Sequence, residues 1–255
     1  MKVALLQTEL AWEESEENIV RIDNHINNLE PTPNLIVLPE MFNTGFTMNT
    51  EKNAQSMDGA AVQWMIEKSA MLTTAICGSV IIKEDDHYYN RFLWVDSGEV
   101  KAIYDKRHLF RMADEHHYFS AGKSSPVIEY KGWKIMPRVC YDLRFPVWSR
   151  STDIDLQIYV ANWPSPRIAA WDKLLLARAI ENQCFVIGVN RIGSDGSGKD
   201  YLGHSIVVDP KGNPQTPEEK EDEGWITSEL DLELLNDFRE KFPLAMDADK
   251  FVIQH

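Results

Sequence analysis

The chain has 255 residues, 44% of them hydrophobic, a formal net charge of −14 and three cysteines. That length and apolar content allow a substantial core, and with no Pro/Gly/Ser-rich linker or break in composition the expectation is one domain over residues 1–255, ending in a tail from 243. The charge argues against a nucleic-acid partner, whose phosphates such a surface repels, but not against a small anionic substrate, which answers to local cations.

The run Met-Lys-Val-Ala-Leu-Leu at the start carries one positive charge and is too short for a signal peptide, and no stretch approaches the roughly 18 apolar residues of a membrane span. Three cysteines without CxxC spacing suggest neither a disulfide framework nor a zinc knuckle. A cytoplasmic protein without a membrane partner is expected. Two acidic runs, 13–17 and 218–223, read as a solvated helix start and a loop.

Residues 3–7 predict a buried strand. Ile19, Ile22, Ile26 and Leu29 recur at three- and four-residue spacing and predict an amphipathic helix, ended by Pro31 and Pro33. Residues 35–38 form a continuous apolar run, the pattern of a strand covered on both faces, and it stops at Pro39-Glu40. Glu40 has two readings: a solvated strand terminator, or a carboxylate desolvated between Pro39 and an aromatic loop and thereby suited to general-base work.

A second helix is predicted over 61–73. Three β-like runs follow, 75–82, 88–96 and 99–105, the last two joined by the hairpin signal Ser97-Gly98, so the sheet is mixed. The third run delivers Lys106 to a loop. Most lysines are exposed and unspecific; this one gains interest from standing at a strand's end. The loop 111–122 is dense in titratable groups, and His116-His117 invites a metal. Adjacent histidines on a regular element rarely share an ion and no HExxH-type spacing occurs, so no metal is expected.

In the stretch 133–146, Ile135, Met136 and Val139 climb to Cys140, then the chain turns into Tyr141, Asp142, Leu143 and Arg144 before Pro146 ends ladder pairing. A thiol is thus placed at a strand's carboxyl end, where open α/β sheets site their chemistry. A lone cysteine is most often a small buried hydrophobe, which suits Cys77 and Cys184. Cys140 has charged and hydrogen-bonding neighbours in sequence, surroundings expected to lower a thiol's pKa. Beyond it, strands are predicted at 156–161, 185–190, 204–209 and 224–229, and helices at 167–183 and 230–242. The glycine-rich loop 193–198 leads into no helix and is not a phosphate-binding fingerprint. The alternation predicts an α/β protein with helices outside β layers, leaving open whether there is one sheet or two.

The motifs Leu-Pro-Glu40-Met-Phe, Tyr-Asp-Lys106-Arg-His-Leu-Phe and Arg-Val-Cys140-Tyr-Asp-Leu-Arg-Phe-Pro, in that order, resemble the nitrilase superfamily of carbon-nitrogen hydrolases. Asn162-Trp163-Pro164, Gly203-His-Ser205 and Asp209-Pro-Lys-Gly212 look like its later landmarks, and the run from Lys106 to Gly122 resembles the omega-amidase branch. The resemblance implies a four-layer αββα sandwich with mixed sheets, association into a homodimer or higher homo-oligomer across helices, and a Glu-Lys-Cys triad falling on Glu40, Lys106 and Cys140. A further family Glu matches Glu115. Amide hydrolysis suits these types: Cys140 as nucleophile, Glu40 as base, Lys106 and the Tyr141 N–H as oxyanion donors, Glu115 to orient Lys106 or relay protons.

The branch implies omega-monoamides of 2-oxo dicarboxylic acids, such as 2-oxoglutaramate and 2-oxosuccinamate, as substrates. Their carboxylate needs a cation, for which Arg144 and Arg167 are the candidates, with Phe42, Phe46 and Trp163 as pocket walls. Either arginine also reads as an ordinary surface or helix-capping residue, and aromatics at such positions are more often packing. The same triad serves nitrile hydrolysis, N-carbamoyl amide hydrolysis and aliphatic amide hydrolysis, and a non-catalytic binding subunit is the alternative from another class. No metal or organic cofactor is called for.

Overall fold

In the computed structural model, residues 1–216 and 221–253 are described. The elements run β1 (Lys2–Gln7), α1 (Ser15–Ile26), β2 (Leu35–Val37), α2 (Thr50–Asn53), α3 (Ala60–Leu72), β3 (Ala75–Glu84), β4 (His87–Asp96) and β5 (Glu99–Asp105). They continue with α4 (Glu115–Tyr118), β6 (Ile128–Tyr130), β7 (Trp133–Val139), α5 (Pro146–Ser149), β8 (Leu156–Ala161), α6 (Ile168–Asn182) and β9 (Phe185–Asn190). Last come β10 (Ile192–Ser194), β11 (Asp200–Leu202), β12 (Ile206–Val208), β13 (Gly224–Glu229) and α7 (Leu232–Lys241).

The strands divide into two mixed sheets, ordered β13-β1-β2-β3-β4-β5 and β12-β9-β8-β7-β6, with β10 and β11 as a separate ribbon. Period-two alternation explains why the sheets stack. Leu35 and Val37 of β2, Phe92 and Trp94 of β4, and Leu156, Ile158 and Val160 of β8 share one cluster between the sheets. The intervening Ile36 and Leu93 face outward onto Ile22 and Ile26 of α1 and Val62 and Met65 of α3. On the other side Tyr159 and Ala161 meet Trp171, Leu175 and Ala179 of α6. The result is an αββα sandwich. Gly188 of β9 lets α6 lie close, since a Cβ there would stand 2.5 Å from Leu175 Cδ1 and 2.9 Å from Trp171 Cζ2.

The periodicities that predicted the long elements hold, and the differences have local causes. The glycine-rich segment 193–198 tips an antiparallel ribbon pairing Ile192 with Leu202, a strand pair too short to show a pattern. The strand predicted from 204 begins at Ile206 because Gly203 and His204 have φ of 78° and 56°. In the first acidic run Glu13 is not simply solvated: it accepts from Thr47 Oγ1 at 2.5 Å and Asn49 Nδ2 at 3.1 Å, tying the loop of Phe46 to the start of α1. Residues 218–220 of the second run lie outside the described residues. Among the described residues no helix is long and apolar enough to cross a membrane.

Candidate active site

Parallel pairing of β2 with β1 and β3, and of β7 with β8, sends several carboxyl ends to one seam between the sheets. Glu40 follows β2, Lys106 follows β5, Cys140 follows β7 and Asn162 follows β8. There Lys106 Nζ stands 2.9 Å from Glu40 Oε1 and 2.9 Å from Glu115 Oε1, and all three side chains are at most 1% exposed. The structure thus brings Glu40, Lys106, Glu115 and Cys140 together.

Each group is held by further donors. Glu40 Oε1 also accepts from Asn90 Nδ2 at 2.8 Å, and its Oε2 accepts from the Asn162 N–H at 2.8 Å. Asn162 Nδ2 donates to the Glu40 carbonyl at 2.6 Å, which locks the two sheets across the site. Glu115, at the start of α4, accepts the Phe110 N–H at 2.5 Å. Burial opposes the charge on Lys106, but the carboxylates of Glu115 and Glu40 prevail and raise its pKa, so it is an ammonium. Burial likewise pushes the Glu115 carboxyl up, although Lys106 draws it down.

Cys140 begins a 3₁₀ turn (Cys140–Arg144) at φ 45°, a left-handed conformation unusual for a residue with a Cβ. The first N–H groups of such a turn, the Tyr141 N–H among them, have no carbonyl of the turn to bond. The expected lowering of the thiol's pKa is corrected here. Burial and the Glu40 carboxylate push it well above its ordinary value, outweighing the opposing pull of Lys106. At rest the sulfur is therefore a thiol beside a carboxylate that can take its proton.

The pocket over the sulfur is lined by Phe46, Phe110, Tyr141, Trp163 and Tyr201, with Lys106, Arg144, Arg167 and Lys199 as its cations. Arg144 lies over the Trp163 ring at 5.0 Å and Arg167 over the Phe110 ring at 5.1 Å. Among the described residues neither guanidinium has a carboxylate partner. Phe46 sits 5.0 Å under Lys106 Nζ. Phe42 is corrected: it is fully buried in the outer core, 5.7 Å from the Trp64 ring, because it turns away from the seam.

Sequence reasoning missed Asn90, Phe110, Lys199 and Tyr201. Asn90 left one readable signal, a polar residue on the inward face of β4 in line with Phe92 and Trp94. Asp114, His116 and His117 bring ligand atoms within 4.8 Å of one another, but on a different surface. Two of the three are exposed, and the buried Nδ1 of His116 has no partner among the described residues.

An ammonium between two carboxylates, beside a thiol and turn N–H groups that no carbonyl of the turn accepts, is equipped for acyl transfer. Residues 2–240 match the carbon-nitrogen hydrolase family. The omega-amidase YafV of Escherichia coli strain K12 is 45% identical over 252 residues, covering 98% of each chain. The 2-oxoglutaramate amidase of Bacillus subtilis is 34% identical, covering 97% of each. A crystal structure of a CN-hydrolase superfamily protein from Xanthomonas campestris, bearing an arsenic adduct in its active site, superposes with a TM-score of 0.96 at 41% identity, covering 100% of this chain and 99% of that one. The chain belongs to the carbon-nitrogen hydrolase family.

Proposed function

We propose that the protein is an omega-amidase, hydrolysing the terminal amide of 2-oxo dicarboxylic acid monoamides such as 2-oxoglutaramate and 2-oxosuccinamate to the 2-oxo acid and ammonia. One observation carries this reading: the pocket that opens on Cys140, Lys106 and Tyr141 also holds the guanidiniums of Arg144 and Arg167, which have no carboxylate partner among the described residues. The relatives' names point the same way.

In this reading Glu40 takes the thiol proton as Sγ attacks the amide carbon. The oxyanion is held by the Lys106 ammonium and the Tyr141 N–H. Glu40 returns the proton to the nitrogen as the C–N bond breaks, ammonia leaves, and a thioester remains. The same carboxylate then deprotonates a water that attacks the thioester, and Cys140 recovers its proton as the acid departs. Glu115 orients Lys106. Arg144 and Arg167 bind the distal carboxylate against the aromatic walls of Phe46 and Trp163. The whole chain acts as one catalytic domain, working in the cytoplasm as a homo-oligomer.

The test is ammonia release from 2-oxoglutaramate, 2-oxosuccinamate, glutamine and a simple nitrile. Turnover confined to the 2-oxo amides is expected, abolished in Cys140→Ala and reduced about 100- to 1,000-fold in Lys106→Ala. Preference for the nitrile or a carbamoyl compound would overturn the substrate; activity surviving in Cys140→Ala would overturn the mechanism.

A further inference from the structure

Asn90 touches both partners of the central ion pair. Its Nδ2 donates to Glu40 Oε1 at 2.8 Å, and its carbonyl accepts the Lys106 N–H at 3.0 Å. The Lys106 side chain then returns to the same carboxylate oxygen at 2.9 Å. One residue of β4 therefore sets the backbone from which the ammonium springs and the oxygen on which it lands.

The surroundings do not ask for an amide. Phe92 and Trp94 continue the same face of β4 into the core between the sheets, and Asn90 is 0% exposed. Its Oδ1 is buried without a partner among the described residues. Packing alone would favour an apolar side chain, which leaves no orphan oxygen.

We propose that Asn90 is a positioning residue that fixes the rotamer of Glu40 and the reach of Lys106 together. This rests on Glu40 as the base, so Glu40→Gln is the control. Around Asn90 the titratable groups are Glu40 after β2, Lys106 after β5, Glu115 on α4 and Cys140 after β7.

Asn90→Asp sets a second carboxylate against Glu40, and like charge favours the protonated neighbour. The acidic limb of kcat/KM is expected to rise by about one pH unit. At neutral pH kcat falls about 100-fold through misplacement of Glu40 and Lys106, of which at most about tenfold is recovered as the pH is raised, while KM changes little. Asn90→Ser, which shortens the side chain away from Glu40, is read alongside in case the aspartate variant does not fold; a loss of at least about tenfold in kcat at unchanged KM is expected. Wild-type kcat in either folded variant, or a slow Asn90→Asp whose acidic limb has not moved, overturns the inference. A silent Glu40→Gln with unaffected Asn90 variants removes the inference alone, whereas an active Glu40→Gln removes the base as well.

Discussion

Three turns with left-handed backbone surround the chemistry: Cys140 itself at φ 45°, Met41 directly after Glu40 at 45°, and Asp114 directly before Glu115 at 56°. Such conformations cost on the order of 1–3 kcal/mol and persist where the surrounding structure over-determines them. Here they turn a chain sharply so that a side chain points back over the seam. The thiol so presented reacts through access rather than acidity. Cys77 and Cys184 are fully buried, while Cys140 opens on the pocket. Iodoacetamide is therefore expected to label Cys140 alone in the folded protein, slowly at pH 7 and faster as pH rises, because the thiol is held above its ordinary value. Removing Lys106, which draws that value down, should slow the labelling further; mass-spectrometric mapping of the alkylated cysteine decides it. The convergence of Glu40, Lys106 and Cys140 was legible because each ends a run of strand-like residues. The thiol's acidity was not, because its sequence neighbours are not its spatial ones: Asp142 turns away, and the carboxylate that matters comes from residue 40.

Where Asp142 turns explains how whole elements are held in register. Fully buried, it accepts from Tyr104 Oη at the end of β5 at 2.6 Å, from the His108 N–H at 3.0 Å and from the Val139 N–H at 3.0 Å, and it meets His108 Nδ1 at 2.7 Å. The ends of β5 and β7, one bearing Lys106 and the other Cys140, are thereby tied to a single carboxylate. Those donors hold the Asp142 pKa down against burial. A carboxylate with a lowered folded value stabilises the fold above its unfolded pKa, and that contribution is lost as pH falls through the folded value. Asp142→Ala is expected to lower the unfolding free energy by about 3 kcal/mol in urea titrations at neutral pH. The deficit should narrow toward pH 3, and an equal deficit at both pH values would refute the account. Little of this clamp could be read from sequence. Asp142 lies 38 residues from Tyr104, and its importance arises only when two sheets stack; the short ribbon of β10 and β11, which carries Lys199 and Tyr201 to the pocket, is hidden for the same reason.

Across the whole molecule the buried thiols and phenols form a second titrating set. Burial pushes Cys184 up to about 12 and Tyr130 up to about 12, and raises Cys77 and Tyr104 well above their ordinary values. The unfolded chain releases these protons at ordinary pH values while the folded chain keeps them. Stability is then complete below the unfolded values and declines as pH rises toward the folded ones. The melting temperature should therefore hold near neutrality and fall steadily from about pH 9. A flat profile to pH 11 would contradict it.

The seam between the sheets has a consequence for how the chain is made. Glu40, Asn90, Lys106 and Glu115 all precede the exposed connection at residues 123–125, whereas Cys140, Asn162 and both pocket arginines follow it. A growing chain therefore emerges with the carboxylates and the ammonium of the site before its thiol and its guanidiniums. The thiol arrives later, and the two halves of the site are joined where Asn162 bonds Glu40 across the sheets. The contact that joins the two sheets is also the one that brings the two halves of the site together.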